Sequence, residues 1–292
     1  MAILSDKKIL FVGHGAIIAH YLNVRNLQNY QVISDSHQRA DDKTFITYKE
    51  LELLKLRYFD TIIIAARLEK LNLDSQKKLI DIFKFLSQNS AGKRFILLSS
   101  VAVYGDCIHS CNERSAKMGK SQYALSKISL EREFTSHFSG ANHSVLRISN
   151  IFGAPDQQDV VNIFLNGISL ENRIRVTTED NFRDFLHVDD FFKVLDFLIM
   201  TEIELPYLLN VAFGESISIH GLVNEIIRHP ALEGLNLVTE MNFESSHIHS
   251  FIDVGLLRSL IPSLNQSSKT FVTDYVRNLI SMNSGNQIGG QN

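Results

Sequence analysis

Tyr123 and Lys127 stand four residues apart in Ser121-Gln-Tyr-Ala-Leu-Ser-Lys127, and Ser100 lies 23 residues before Tyr123. On a helix, positions i and i+4 share a face. An ammonium beside a phenol favours the phenolate. Such a pair, with a hydroxyl at the end of an upstream strand, suits proton exchange with a carbonyl/alcohol couple in which hydride is the other half of the reaction. The same four-residue spacing also fits a Tyr and a Lys on the surface of an ordinary helix, so its meaning depends on the elements that position it.

Those elements read as an alternation of strands and helices. Apolar runs at Lys8–Val12, Tyr30–Asp35, Phe59–Ala65, Arg94–Ser100 and Ser144–Ile148 read as strands. Several are apolar throughout, as in parallel strands covered on both faces. Helical patterns cover Ala16–Asn23, Asp74–Ser90 and Gln122–His137. The alternation predicts a doubly wound parallel sheet of Rossmann type. After about residue 150 the pattern loosens into a smaller, loop-rich α/β lobe, and the Gly/Asn/Gln-rich tail 283–292 reads as disordered.

Composition narrows the classes. The chain has 292 residues, 45% hydrophobic and 21% charged, with a formal net charge of −3. No general attraction to nucleic acid or to an anionic membrane follows. No apolar run is long enough to span a bilayer, and the N-terminus leads straight into a strand without a secretory segment. Two cysteines, Cys107 and Cys111, exclude a disulfide scaffold and lead to the expectation of free thiols in a loop, in a reducing cytoplasm. With His109 between them they offer three potential metal ligands. No second Cys/His cluster completes a tetrahedral set, although His247 and His249 occur downstream, so no metal is expected.

Gly13-His-Gly15 follows the first strand and opens a helix, the context of a pyrophosphate-binding turn. The third glycine of the G-x-G-x-x-G pattern is replaced by Ile18. Asp35 ends the second strand, 20 residues after Gly15. A carboxylate there can accept from both hydroxyls of an adenine ribose and would repel a 2′-phosphate, which favours NAD; the nearby Arg39 could pair with such a phosphate and leaves NADP open. Ala65-Ala66 ends the third strand with small side chains, suited to a close cofactor approach or simply to tight packing.

Five motifs then occur in order: Ser99-Ser-Val-Ala-Val-Tyr-Gly105, Tyr123-x-x-x-Lys127, Leu146-Arg-Ile-Ser-Asn-Ile-Phe-Gly153, Arg183-Asp-Phe-Leu-His-Val-Asp-Asp190 and Asn210-Val-Ala-Phe-Gly214. Together they resemble the extended short-chain dehydrogenases/reductases, the NAD-dependent epimerase/dehydratase group acting on nucleotide sugars, over roughly residues 8 to 262. The resemblance implies a dinucleotide-binding domain over 1–150, rejoined by 184–212, with a substrate-binding lobe over 151–183 and 213–282. It implies Ser100 as the catalytic hydroxyl, Tyr123 as the acid/base and Lys127 as the residue that holds the nicotinamide ribose and tunes Tyr123. Cofactor contacts are implied at Gly13, Gly15, Ala16, Ile17, Asp35 and Ala65, and further at Ala66, Ser99, Tyr123, Lys127 and Ile148. Substrate contacts are implied at Ser100, Val101, Asn150 and Arg183, the last neutralising a nucleotide diphosphate; the alternative for Arg183 is an ion pair with Asp184. Asp189 and Asp190 read as helix-capping and Arg147 as structural.

The chain departs from the family in several places. The segment after Ala66, before an Asn placed at Asn72, is short, and Val101-Ala102 stands where dehydratases carry an acidic pair. Without those carboxylates, water elimination lacks its acid and base. Phe243 occupies a position where the family often has a phosphate-clamping Arg, a role Arg175 or a neighbouring His could take. Three functions remain: reduction of a keto group, of the 4-keto of a nucleotide-activated deoxysugar in particular; epimerisation of a nucleotide sugar with tightly bound NAD; and non-catalytic dinucleotide sensing. A homodimer is also implied, through the helix carrying Tyr123 and the preceding helix, with Leu79, Ile82, Phe83, Leu130 and Phe134 as candidate surface or, alternatively, ordinary core.

Overall fold

In the computed structural model of the chain the described residues are 6–34, 45–47, 50, 54–65, 73–88, 91–140, 142–154, 159, 161–164, 167, 173–178, 181–228, 230, 238–244, 249–264 and 276. Asp35, Arg39, Ala66, Asn72, His247 and the tail 283–292 lie outside them. Two compact units are formed: Met1–Gly105 with Ala116–Ile148 and Phe192–Asn210, and Asp106–Ser115 with Ser149–Phe191 and Val211–Asn292. The segment 106–115, expected in the first unit, belongs to the second, and the chain returns to the first at Phe192 rather than at 184.

The first unit is built on strands β1 (Ile9–Val12), β2 (Tyr30–Ile33), β3 (Phe45–Ile46), β4 (Thr61–Ile64), β5 (Arg94–Ser100), β7 (Asn142–Ile148) and β11 (Leu208–Val211). They form one seven-stranded sheet in the order β11-β7-β5-β4-β1-β2-β3. Every registered pairing from β7 to β3 is parallel. Helices α1 (Ala16–Arg25), α2 (Leu73–Ser87), α3 (Gln122–Phe138) and α4 (Val188–Met200) accompany it.

Alternation along each strand sends side chains to both faces. Leu10, Val12, Ile62, Ile64, Phe95 and Leu97 pack with Leu79, Ile82, Phe83, Leu130, Phe134 and Phe138 of α2 and α3. On β1 the intervening Phe11 meets Tyr21 of α1 edge-on, and Tyr21 in turn meets Phe192 of α4. Helices therefore cover both faces, and the sheet is doubly wound. Arg94 fastens α4 by donating from its guanidinium to Leu198 O (2.8 Å) and Thr201 O (2.7 Å), a cationic cap on carbonyls the helix leaves open. Leu79, Ile82, Phe83, Leu130 and Phe134 are at most 8% exposed. They are core and not a dimer surface, because the α2 and α3 apolar stripes are spent on the sheet.

The second unit contains β6 (Cys107–Cys111), β8 (Asn150–Phe152), β9 (Arg173–Thr178), β10 (Phe182–His187), β12 (Ser216–Ser218), β13 (Val238–Glu244) and β14 (Ser250–Ile252), with helices α5 (Ile219–Ile227) and α6 (Gly255–Leu260). Its sheets are small: β12-β10-β8, β13-β9 and β14-β6. Arg175 and Phe243 fall on the paired β9 and β13.

Here the expectation of free thiols fails, because Cys107 and Cys111 form a disulfide. Four steps of extended strand would separate their Cα atoms by about 13 Å, yet they stand 5.8 Å apart. The strand bulges: Cys107 pairs with Ser250 and Cys111 with Ile252, so four residue steps of β6 face two of β14. Spacing alone does not reveal such a bulge. Among the described residues no helix is long and apolar enough to cross a membrane.

Candidate active site

Ser100 ends β5, and its Oγ accepts from Ala102 N (3.2 Å), capping a single 3-10 turn over Val101–Tyr104. A hydroxyl that accepts from backbone keeps its own hydrogen for donation. The turn is anchored by Tyr104, whose buried hydroxyl donates to Asn210 Oδ1 (2.6 Å).

Helix α3 starts at a Ser cap, with Ala124 N donating to Ser121 Oγ (3.1 Å). This sets Tyr123 in the first turn and Lys127 one turn later. The helix packs on β5 and on the 3-10 turn. Lys127 is 6% exposed and donates from Nζ to Leu98 O (3.1 Å). That Nζ is 5.9 Å from the Tyr123 ring centroid. Tyr123 itself is 37% exposed. Strand end, 3-10 turn and helix thus bring Ser100, Tyr123 and Lys127 into one unit.

Sequence reasoning missed what supports them. Glu131, one turn beyond Lys127, is buried and gathers three partners. Ser99 Oγ donates to Oε1 (2.6 Å), Arg147 donates from Nε to Oε1 (3.1 Å) and from Nη2 to Oε2 (2.9 Å), and Lys117 Nζ lies 2.8 Å from Oε2. The Arg147 guanidinium also lies 4.7 Å from the Tyr104 ring centroid. Burial works to raise the Glu131 carboxyl, but Arg147, then Lys117 and Ser99, outweigh it and hold it below its usual range. Ser99, implied as a cofactor contact, turns its hydroxyl to this network. The available signal was a Glu four residues after Lys127 together with an Arg between the apolar Leu146 and Ile148 of β7.

A second support is Gly119. A Cβ there would collide with Ala102 O and lie 2.6 Å from Ala124 Cβ, while Gly119 N donates to Val103 O (3.0 Å). The glycine lets the segment before α3 lie against the turn that follows Ser100. Gly119→Ala is expected to cost about 1–3 kcal/mol by overpacking and to lower turnover by shifting Tyr123 relative to Ser100. Thermal melting with steady-state kinetics checks this; a fully active variant of native stability would contradict it.

At the same carboxyl edge of the sheet, where β1 lies two strands from β5, Gly13 has φ 96°, a backbone region that favours glycine. Gly15 precedes α1 without a side-chain cap, and a Cβ on it would meet nothing within 4 Å. Ala16 and Ile17 form the first turn, while Ile18 is 2% exposed and packed inward. Ala65 follows β4 and donates to Val12 O (2.8 Å). Open space beside Gly15 and uncapped helix N–H groups fit a pyrophosphate. Ile148 is buried at the end of β7.

In the second unit, Asn150 Nδ2 donates to Asp184 O (2.9 Å), tying β8 to β10. Arg183 and Asp184 do not pair, since neighbours on a strand face opposite ways. Arg183 Nη1 approaches Ser250 Oγ at 3.5 Å, and burial lowers the Arg183 pKa against the opposing charge of Asp106. Asp184 accepts from Phe213 N (2.9 Å) and Gly214 N (2.7 Å).

Burial pushes the Asp184 carboxyl up to about 6, against the hydrogen bonds from Phe213 N and Gly214 N. A folded value raised above the unfolded one means that protonated Asp184 favours the fold. That contribution is full below the ordinary carboxylate range and is lost as pH rises through about 6. Asp184→Asn is therefore expected to flatten the decline in stability between pH 4 and 6 by roughly 2–3 kcal/mol, read by urea unfolding across that range. An unchanged profile would contradict it.

The model of the NAD dependent epimerase/dehydratase family matches residues 15–212. No curated protein sequence matches the chain. Among solved structures, MoeE5 in complex with UDP-glucose and NAD superposes with a TM-score of 0.74 at 17% identity, covering 96% of this chain and 99% of that one. A UDP-N-acetylglucosamine 4-epimerase from Methanobrevibacter ruminantium M1 gives 0.72 at 20% identity, covering 98% and 100%. A dTDP-glucose 4,6-dehydratase from Bacillus anthracis str. Ames in complex with NAD gives 0.74 at 16%, covering 96% and 98%. At such identities the likeness is one of fold, and it agrees with the doubly wound sheet. The family match spans the strand end with Ser100, the helix with Tyr123 and Lys127, and Arg183, and the chain belongs to the NAD-dependent epimerase/dehydratase family.

Proposed function

We propose that the chain is an NAD-dependent oxidoreductase that reduces a keto group of a nucleotide-activated deoxysugar. The observation that carries this reading is a buried Lys127, whose Nζ is 5.9 Å from the Tyr123 ring centroid, on a helix that packs against β5 and against the turn capped by Ser100. In open α/β sheets the carboxyl edge of the strands is where ligands bind. Gly13, Gly15 and the start of α1 would hold the cofactor pyrophosphate. When bound, the nicotinamide supplies hydride chemistry.

The protein's own part is proton handling and charge placement. The Ser100 hydroxyl, with Oγ already fixed by Ala102 N, donates its hydrogen to the substrate oxygen as charge builds there. Tyr123 delivers the proton, and the Lys127 ammonium favours the phenolate left behind. Asn150 and Arg183 serve the nucleotide diphosphate in this reading. Buried Val101 and half-buried Ala102 bring no carboxylate beside Ser100, so water elimination is left out.

Epimerisation is the second reading, supported by the likeness to a 4-epimerase. It uses the same three residues but consumes no net cofactor. Incubation with reduced cofactor and a 4-keto nucleotide sugar distinguishes them. Stoichiometric cofactor oxidation is the expected result. Isomer exchange without it would replace the reductase by the epimerase, and inactivity toward both substrate types would favour a dinucleotide-sensing role. A homodimer built on α2 and α3 would have to use their outer faces, where Leu125 is 55% exposed.

A further inference from the structure

We propose that the Cys107–Cys111 bridge is a reversible thiol–disulfide site that sets how firmly Arg183 is held for an anionic ligand. The inference rests on the reading of Arg183 as a phosphate-binding group.

β14 connects the bridge to Arg183. Its two flanks are anchored by the backbones of the two cysteines: Cys107 N donates to His249 O (2.8 Å), and Asp253 N donates to Cys111 O (2.9 Å). Between these anchors, β14 forms the wall beside Arg183. Ser250 Oγ accepts from Arg183 Nη1 (3.5 Å), His249 Nδ1 accepts from Phe182 N (3.3 Å), and Ser216 Oγ donates to Ser250 O (2.6 Å). Asp106, the residue before Cys107, accepts from His249 N (2.8 Å) and is the charge that opposes the lowering of the Arg183 pKa.

The four steps of β6 would reach about 13 Å if extended, whereas the two facing steps of β14 reach about 7 Å. Both anchors hold only while Ile108, His109 and Ser110 bulge outward, and the bridge fixes that bulge. Once it opens, β6 is free to extend, and one anchor is lost with the register of β14.

Access favours exchange. Cys107 is 2% exposed, but Cys111 is only half-buried and follows three exposed residues, with Ile108 at 62%. A dithiol reductant would attack Cys111 Sγ as a thiolate, forming a mixed disulfide and releasing Cys107 as thiolate. Its second thiolate would then close the reductant's own disulfide and release Cys111. Two electrons pass from the dithiol to the cysteine pair, and the two protons follow through solvent. Disulfides that operate in reducing surroundings are characteristically of this exchanging kind.

The test uses the whole chain, whose only cysteines are these two. After dithiothreitol, without denaturant, two thiols are expected to titrate, and UDP affinity measured by calorimetry is expected to fall about tenfold, recovering on reoxidation. Cys111→Ser should bind UDP as the reduced protein does and ignore dithiothreitol; the wild-type comparison carries the test without any variant. A bridge that opens only in denaturant, or equal UDP affinity in both forms, would overturn the inference while leaving the function untouched. UDP binding to neither form would remove the Arg183 reading and the inference with it.

Discussion

Tyr123→Phe is expected to lower turnover by about 10²–10⁴-fold with the fold and cofactor binding retained. The substitution removes one oxygen from a side chain that is already 37% exposed, so stability should move by no more than about 0.5 kcal/mol. The ring keeps its place in the first turn of α3, and the Ser121 cap and the Lys127 bond to Leu98 O do not involve the lost atom. What disappears is the hydroxyl that the proposed mechanism uses as its proton donor. Steady-state kinetics beside a thermal melt and NAD titration reads all three quantities, and undiminished turnover would end the assignment of Tyr123. The same experiment separates catalysis from sensing, because a dinucleotide sensor would bind NAD equally well with either residue and turn over with neither.

The second large effect concerns stability. Glu131→Ala leaves Arg147, itself 2% exposed, without the carboxylate that takes two of its hydrogen bonds. Removing one partner of a buried ion pair costs about 3–5 kcal/mol. Turnover should fall as well, because Ser99, next to Ser100, and α3, which carries Tyr123 and Lys127, meet at Glu131. Its pH dependence runs opposite to that of Asp184. The Glu131 carboxyl is depressed in the fold, so its contribution is present above the ordinary carboxylate range and lost as pH falls through the folded value. Glu131→Gln should therefore remove a wild-type loss of stability on acidification. Lys117, 36% exposed, contributes less, and Lys117→Ala should cost under about 1 kcal/mol. Chemical unfolding at neutral and acid pH checks the series, and an Ala variant within about 1 kcal/mol of wild type would contradict the account.

Much of the first unit was legible because local pattern and tertiary role coincide there. Runs such as Phe-Ile-Leu-Leu in β5 and Ile-Ile-Ile in β4 are apolar on both faces, which only a doubly covered strand requires. The end of β5 at Ser100 and the start of α3 just before Tyr123 followed from the same patterns. The Glu131 network was not legible. A carboxylate 32 residues after Ser99 and 16 before Arg147 carries no local sign that the three side chains meet. The apolar residues of α2 and α3 were visible as stripes, but whether a stripe faces the sheet or a second copy of the chain is decided by packing, which gave them to the sheet.

By itself the sequence determined that strands and helices alternate, and that a phenol, an ammonium and a hydroxyl sit at spacings one helix and one strand end can bring together; periodicity and residue chemistry are properties of the chain read locally. Only the tertiary structure decided that Cys107 and Cys111 are joined, that Arg183 and Asp184 part company, and that Glu131 underpins the site. Each of these depends on where distant backbone lies: a bulge opposite β14, the two faces of β10, and the crossing of α3 with β5 and β7. Such contacts follow from packing across the whole molecule, not from the spacing of neighbours along the chain.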